Sequence, residues 1–111
     1  MASVVYNNYK EDCLNGNVDL TNDTIKVALV TSGYTVNIDT HAFFSDITNE
    51  VSGTGYTAGG ETLSVTVSQD NTDDEGVFDA TDVTWASSVI TARGAVVYKD
   101  TGNAATSNLL C

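Results

Sequence analysis

The sequence is poor in positive charge. Its 111 residues contain four Lys or Arg against 15 Asp or Glu, which gives a formal net charge of −11 at pH 7. Recognition of nucleic acid depends on clustered Lys and Arg that neutralise phosphates. Anionic membrane surfaces attract the same residues. The composition therefore predicts a protein with no nucleic-acid partner and no membrane partner.

Histidine and cysteine are scarce, and proline is absent. The single His41 has Asp39 nearby, but no G-x-S-x-G motif accompanies it, so the sequence predicts neither catalytic residues nor an enzyme. Cys13 and Cys111 form no C-x-x-C pair, which argues against a zinc site, and no cofactor is expected. They lie near opposite ends of the chain, so a disulfide would close almost the whole chain into a loop. Two buried thiols are the alternative, and the sequence leaves both open.

Long apolar runs are also missing. The longest, at 27–30 and 95–98, have four residues and cannot span a bilayer. The first residues contain no basic region followed by an apolar stretch, so they do not form a secretory signal as written. The hydrophobic content of 41% and the periodic runs nevertheless exclude a disordered acidic tail. The length predicts a single β-rich domain over residues 1–111.

Periodicity places one helix and one central strand in the first third of the chain. Tyr6 to Leu14 is predicted to be a short helix that ends at Asn15-Gly16, because glycine readily takes the left-handed conformation of a helix C-cap. Thr24 to Thr31 is predicted to be a strand. Both of its faces are mostly apolar, which indicates a strand covered on both sides. A helical turn is expected at residues 40–45.

The later part of the chain alternates as expected for strands joined by polar turns. Glu61 to Ser68 is predicted to be a half-buried strand with Leu63, Val65 and Val67 inward. An acidic turn at 69–76 follows it. Further strands are expected at residues 77–78, 83–86, 89–99 (bent at Gly94) and from 108 onward. Arg93 would then lie mid-strand and pair with a carboxylate.

The number and length of these elements indicate the fold class. Five to seven short strands with Gly, Asn and Asp turns predict an all-β, antiparallel β-sandwich or small barrel, with one or two short helices that include one near the N-terminus. A parallel α/β fold would need crossover connections of about a dozen residues or more, usually helical, between its strands. The sequence contains no such helices.

Four carboxylates in the acidic turn are the candidates for a metal site: Asp70, Asp73, Asp74 and Glu75. Hard oxygen ligands in a flexible loop are what Ca²⁺ requires. The turn does not fit an EF-hand, because from Asp70 the sixth residue is Glu75 instead of Gly and the twelfth is Thr81 instead of Glu. Solvated charge that keeps the protein soluble is the alternative interpretation.

Several stretches together resemble a family of small virion structural proteins of tailed bacteriophages: residues 6–12 (YNNYKED), 23–31 (DTIKVALVT), 43–50 (FFSDITNE), 53–60 (GTGYTAGG) and 97–102 (VYKDTG). The resemblance implies a protein of the virion, assembled in the host cytoplasm, that self-associates and contacts the major capsid protein or other virion subunits. Capsid decoration (cement) is the first role it implies. A tail or head–tail component is the alternative, including a Ca²⁺-dependent receptor- or carbohydrate-binding module.

The expected contact residues are aromatic and apolar. They are Tyr6 and Tyr9 on the predicted helix, and Phe43, Phe44 and Tyr56 in loops. Relatives in the resembled family continue beyond the position of Cys111, whereas this sequence stops within the apolar run Leu109-Leu110-Cys111. A strand ending there would leave an edge or groove unfilled, to be completed by a partner chain or buried in the assembly. A shortened version whose last strand is complete enough is the alternative.

Overall fold

The computed structural model describes residues 3–111. Its elements are α1 (Asn7–Asn15), β1 (Ile25–Val30), a 3₁₀ turn (Phe44–Asp46), β2 (Glu61–Thr62), β3 (Val65–Asp70), β4 (Glu75–Ala80) and β5 (Gly94–Lys99). Every pairing between these strands is antiparallel. The all-β fold class with a short helix near the N-terminus is thereby confirmed.

Strand β1 lies at the centre of a three-stranded sheet with the order β2-β1-β5. Ala28 and Val30 pack into one hydrophobic cluster with the aromatic rings of Tyr6, Tyr34 and Tyr98. Ile25 packs on the other side of the strand, in a second cluster with Val18 and Leu110. A strand with apolar residues on both faces can be buried on both faces. The prediction that β1 is covered on both sides is confirmed at Ile25 on one face and at Ala28 and Val30 on the other, whereas Val27 and Leu29 are half-buried.

Helix α1 ends as the sequence predicts and is held against the C-terminal segment by one carboxylate. Gly16 has a φ of 72°, and its amide donates to the carbonyls of Asp12 and Cys13. The buried Asp12 carboxylate accepts hydrogen bonds from the side-chain amides of Asn8, Asn17 and Asn108, at 2.7, 3.2 and 2.9 Å. Within residues 3–111, no helix has the length and apolar character needed to cross a membrane.

The segment predicted as one strand over residues 61–68 is divided between two sheets. Glu61 pairs with Val27 of β1, whereas Val65 pairs with Ala80 in a separate two-stranded hairpin formed by β3 and β4. The strict alternation of residues 61–68 predicts which side chains share a face. It does not show that the strand is interrupted at residues 63–64. The prediction that Val67 points inward is wrong, because 48% of this residue is exposed on the hairpin.

Strand β5 begins later than the sequence predicts. Residues 89–93 precede it as loop with one isolated bridge at Val89, and residues 83–86 form no strand. Arg93 is therefore an exposed residue just before the strand, and it makes no ion pair with a carboxylate of residues 3–111. The predicted mid-strand ion pair is therefore not formed among the described residues, and a solvated guanidinium needs no buried counter-ion.

Candidate functional site

Three of the predicted contact residues belong to the core. Tyr6, Leu109 and Leu110 are 1%, 0% and 3% exposed. The Tyr6 amide donates to the Leu110 carbonyl at 3.1 Å, and Leu109 bridges Tyr98 beside β5. Side chains this deeply buried cannot contact another subunit. The prediction that these three residues form a contact surface is therefore wrong. Leu109 and Leu110 fill the interior of their own chain, and Tyr6 is buried in the same cluster as Leu109.

The other aromatic candidates are half-buried. Phe44 stacks on Tyr98 with ring centroids 4.2 Å apart, and Phe43 bridges Asn108 through its backbone. Tyr9 packs against the cluster that contains Ile25. The rings of Tyr9 and Phe44 pack against the core and leave part of their surface accessible, and Phe43 is half-buried as well. Their role in contacting a partner stays a prediction.

Tyr56 joins the glycine-rich loop to β1 at Leu29, beyond the residues of β1 that pair with β2. Its hydroxyl accepts the amide of Leu29 at 3.0 Å and donates to Glu50 Oε2 at 2.7 Å. The same carboxylate oxygen accepts the Gly59 amide at 2.6 Å. Burial and the Glu50 carboxylate raise the pKa of the Tyr56 hydroxyl. The structure thus gives Tyr56 a structural role that the sequence could not show, because Glu50 carries no local signal of this pairing.

His41 belongs to a chain of hydrogen bonds that does not include Asp39. Tyr6 Oη lies 2.9 Å from Tyr34 Oη, which lies 2.8 Å from His41 Nδ1. The backbone amide of Asn37 also points at Nδ1, so this nitrogen accepts and the Tyr34 hydroxyl donates to it. The carboxylate of Asp39 is directed elsewhere and accepts from Asn7 at 2.7 Å. The geometry therefore anchors the 34–41 loop to the core.

All five tyrosines of the chain should resist ionisation while the protein is folded. Burial raises the pKa of each hydroxyl, and it raises that of Tyr98 to about 12. The unfolded chain loses these protons near pH 10, so the folded state binds more protons above that value. We expect full stability below about pH 10 and a progressive loss as pH rises through 12.

Ultraviolet absorbance of tyrosinate, followed together with circular dichroism, measures this loss. Tyrosinate should form in the same step in which the far-ultraviolet signal disappears. The chain in concentrated urea is the control and should titrate near pH 10. Formation of tyrosinate at that pH with an unchanged far-ultraviolet spectrum would contradict the expectation.

The acidic turn brings three of its four candidate ligands together at the tip of the β3–β4 hairpin. Carboxylate oxygens of Asp70, Asp73 and Glu75 lie within 4.8 Å of one another, whereas Asp74 is not part of this group. Asp70 Oδ1 also accepts the backbone amides of Thr72 and Asp73. Asp73 and Glu75 are exposed and Asp70 is half-buried, and three oxygen donors of this kind are chemically suited to Ca²⁺. Exposed carboxylates also occur together without any ion.

The hairpin has one apolar face that extends beyond the core. Val67 and Phe78 are directly opposite each other, and they are 48% and 41% exposed. Val65 and Ala80 lie on the same face nearer the base, where Val65 packs against the core. The segment contains no Lys or Arg and five carboxylates, namely Asp70, Asp73, Asp74, Glu75 and Asp79. The alternation of β3 predicts inward-facing residues at 65 and 67, so the sequence gives no sign of this exposed face.

No protein-family model matches the chain, and neither a curated protein nor a solved structure matches it. The function of this chain is therefore inferred from its own residues. The surfaces described above are the apolar face of the hairpin, its acidic tip and the half-buried aromatic rings.

Proposed function

We propose that the chain is a non-enzymatic structural protein of a tailed-bacteriophage virion, located in the assembled particle as a capsid decoration protein. Its partners would be the major capsid protein or other virion subunits, together with further copies of itself. A tail or head–tail position is the alternative within the same class. The resemblance of five stretches of the sequence to virion proteins of this kind supports the proposal. The exposed apolar pair on the β3–β4 hairpin supports it as well.

The hairpin is the observation that carries the proposal. A two-stranded hairpin is marginally stable on its own in water, and this one packs against the core mainly at its base through Val65. Its exposed pair, Val67 and Phe78, would be covered by a neighbouring subunit. Carboxylates around that pair fit a neighbour whose surface has an apolar patch bordered by Lys and Arg. Many symmetric copies on a shell allow each contact to be weak.

Co-sedimentation with virus particles tests this role. Particles of the phage that encodes the chain are prepared without it and mixed with purified protein. The wild-type chain should pellet with the particles, and mass spectrometry of native particles should find many copies. Val67→Ser and Phe78→Ser should weaken binding about tenfold or more, because apolar anchors contribute most to such contacts.

Val89→Ser is the matched control. Val89 is 76% exposed and lies outside the hairpin, so this change should leave co-sedimentation as it is. Circular dichroism shows whether each variant is folded. Native particles with no copies of the chain would contradict the virion role. Equal binding by all three variants would contradict the part assigned to the hairpin.

A Ca²⁺-dependent binding module is the second candidate function, and the convergence of Asp70, Asp73 and Glu75 favours it. If the chain is such a module, its melting temperature should be higher in Ca²⁺ than in EDTA, because an ion that binds only the folded state stabilises that state. Asp73→Asn should abolish the difference. Asp79→Asn, a hairpin carboxylate outside the group, should retain it. Equal melting temperatures in Ca²⁺ and EDTA would remove this candidate.

A further inference from the structure

The β3–β4 hairpin leaves backbone groups on its outer edges unpaired. The amide of Thr81 donates to the carbonyl of Ser64 at 3.0 Å, and these two residues continue the register in which Val65 lies opposite Ala80. In an antiparallel ladder, opposite residues alternate between pairs that exchange hydrogen bonds and pairs that do not. Starting from Val65 and Ala80, every second residue of each strand therefore directs its N–H and C=O away from the partner strand.

On β3 these outward-facing residues are Val65, Val67 and Gln69. Their backbone groups hydrogen-bond to no other group of residues 3–111. The strand also lacks the features that protect a sheet edge from pairing, because residues 65–69 contain neither Pro nor a charged side chain. The outer edge of β3 is therefore a row of three open positions to which a further strand can be added.

The outer edge of β4 is less open. Gly76, Phe78 and Ala80 face outward on this strand, but the Ala80 amide donates to the carboxylate of Asp79 at 2.9 Å. A strand added beside β4 would compete with that carboxylate for the Ala80 amide. No side chain competes in this way at β3, so β3 is the edge that favours strand addition.

The side chains of the hairpin indicate the chemistry of the added strand. Val67 and Phe78 form an exposed apolar pair on one face, so the side chains that the added strand places on that face should be apolar. Residues 64–81 contain five carboxylates and no Lys or Arg. The alternate side chains, which lie on the same face as Asp70, should therefore be basic.

A second copy of this chain does not contain such a strand. Its four Lys and Arg residues are scattered, and no two of them are two positions apart. Lys26 and Lys99 already pair with carboxylates of their own chain, at 3.4 and 3.3 Å. Two copies, each with a net charge of −11, also repel each other. The chemistry therefore favours a segment of a different protein.

We propose that the outer edge of β3 binds an extended segment of a partner protein in which apolar side chains alternate with Lys or Arg. The added strand pairs with the backbone of Val65, Val67 and Gln69 and turns the two-stranded hairpin into a three-stranded sheet, which is more stable in water than a hairpin alone. This mode of recognition rests on the proposed contact between the hairpin and a neighbouring virion subunit, and it names the chemistry that the subunit presents.

A hexapeptide with blocked ends, Val-Lys-Val-Lys-Val-Lys, is the probe for this edge. It is titrated into the ¹⁵N-labelled full chain and followed by nuclear magnetic resonance. The amide signals of Val65, Val67 and Gln69 should shift, and their hydrogen exchange should slow by about tenfold or more at saturation, because the peptide replaces water as their partner. The peptide Val-Glu-Val-Glu-Val-Glu has the same alternation and the opposite charge, and it should bind more weakly.

Two proline variants distinguish the edges of the hairpin. Proline at an outward-facing position removes an N–H that the hairpin itself does not use. Gln69→Pro should weaken peptide binding about fivefold or more. Gly76→Pro is the matched control, because Gly76 lies directly opposite on β4 and a Cβ there meets no atom within 4 Å. This variant should bind the peptide as the wild-type chain does, and circular dichroism shows whether both variants are folded.

A methylated peptide tests the backbone pairing on the unaltered chain. Methylation of every backbone amide keeps the side chains and the charge but removes the donors that pair with β3. This peptide should leave hydrogen exchange at Val65, Val67 and Gln69 unchanged. Equal effects of the methylated and unmethylated peptides would overturn the proposal, as would equal binding by the two proline variants when both are folded.

The remaining outcomes separate this proposal from the virion role. No change at the β3 amides up to the solubility limit of the peptide would overturn strand addition, whereas weaker co-sedimentation of Val67→Ser would still support the virion role. Peptide binding at β3 combined with native particles that lack the chain would contradict the virion role alone. Shifts of the β3 amides that depend on protein concentration without peptide would overturn the proposal in favour of a second copy.

Discussion

Replacement of Gly60 by alanine should lower the free energy of unfolding by about 3 kcal/mol or more. Gly60 has a φ of 78°, which costs an L side chain about 1–2 kcal/mol. An added Cβ would overlap the carbonyl oxygen of Val27 and lie 2.8 Å from the Cα of Ala28. Because these atoms belong to the backbone of the central strand, they cannot move aside without disturbing its pairing.

Gly102→Ala is the matched control for this prediction. Gly102 has a φ of 85°, but a Cβ there would meet no atom within 4 Å. This variant should lose about 1–2 kcal/mol, from the backbone conformation alone. Urea unfolding followed by circular dichroism gives both values, and their difference isolates the overlap with Val27. Equal losses in the two variants would contradict the close approach of the glycine-rich loop to β1.

Leu109→Ala should be destabilising by about 2–5 kcal/mol. Leu109 is fully buried in the cluster with Tyr98 and Tyr6. The truncation removes apolar contacts and leaves a cavity that the surrounding rings can fill only in part. The hydrogen bond from its backbone amide to the Ala42 carbonyl is retained. The effect therefore reports on side-chain packing and not on backbone pairing.

Leu14→Ala is the corresponding control. Leu14 is 90% exposed near the end of α1, so the same chemical change there should alter the free energy of unfolding by no more than about 0.5 kcal/mol. Thermal and urea unfolding of both variants provide the comparison. A loss of the same small size at Leu109 would show that the C-terminal segment does not fill the core. The assignment of Leu109 to the interior would then fail.

Local sequence signals predicted several elements correctly. Helix α1 ends where Asn15 is followed by Gly16, because glycine takes the left-handed conformation at no steric cost. Strand β1 is apolar on both faces, and it is buried at Ile25 on one face and at Ala28 and Val30 on the other. The acidic turn at 69–76 lies at the tip of a hairpin, as its composition indicates. In each case the signal lies within the element itself or at its end.

Interactions between distant residues were not predictable in this way. The stretch 61–68 alternates throughout, yet Glu61 and Val65 belong to different sheets, because the choice of partner strand is made by residues far along the chain. The same holds for Glu50, whose carboxylate joins Tyr56 and Gly59 to the edge of β1. The apolar run at 109–111 gave no sign of whether it faces a partner or its own core.

Composition and short-range pattern alone determined the charge of the molecule, its antiparallel β class and the end of its first helix. Tertiary structure decided which apolar residues became core and which stayed accessible. Val65 and Val67 are chemically identical and two positions apart, but Val65 packs against the core and Val67 extends beyond it. The physical reason is that burial depends on which surfaces meet in three dimensions, and alternation specifies only the side of the strand.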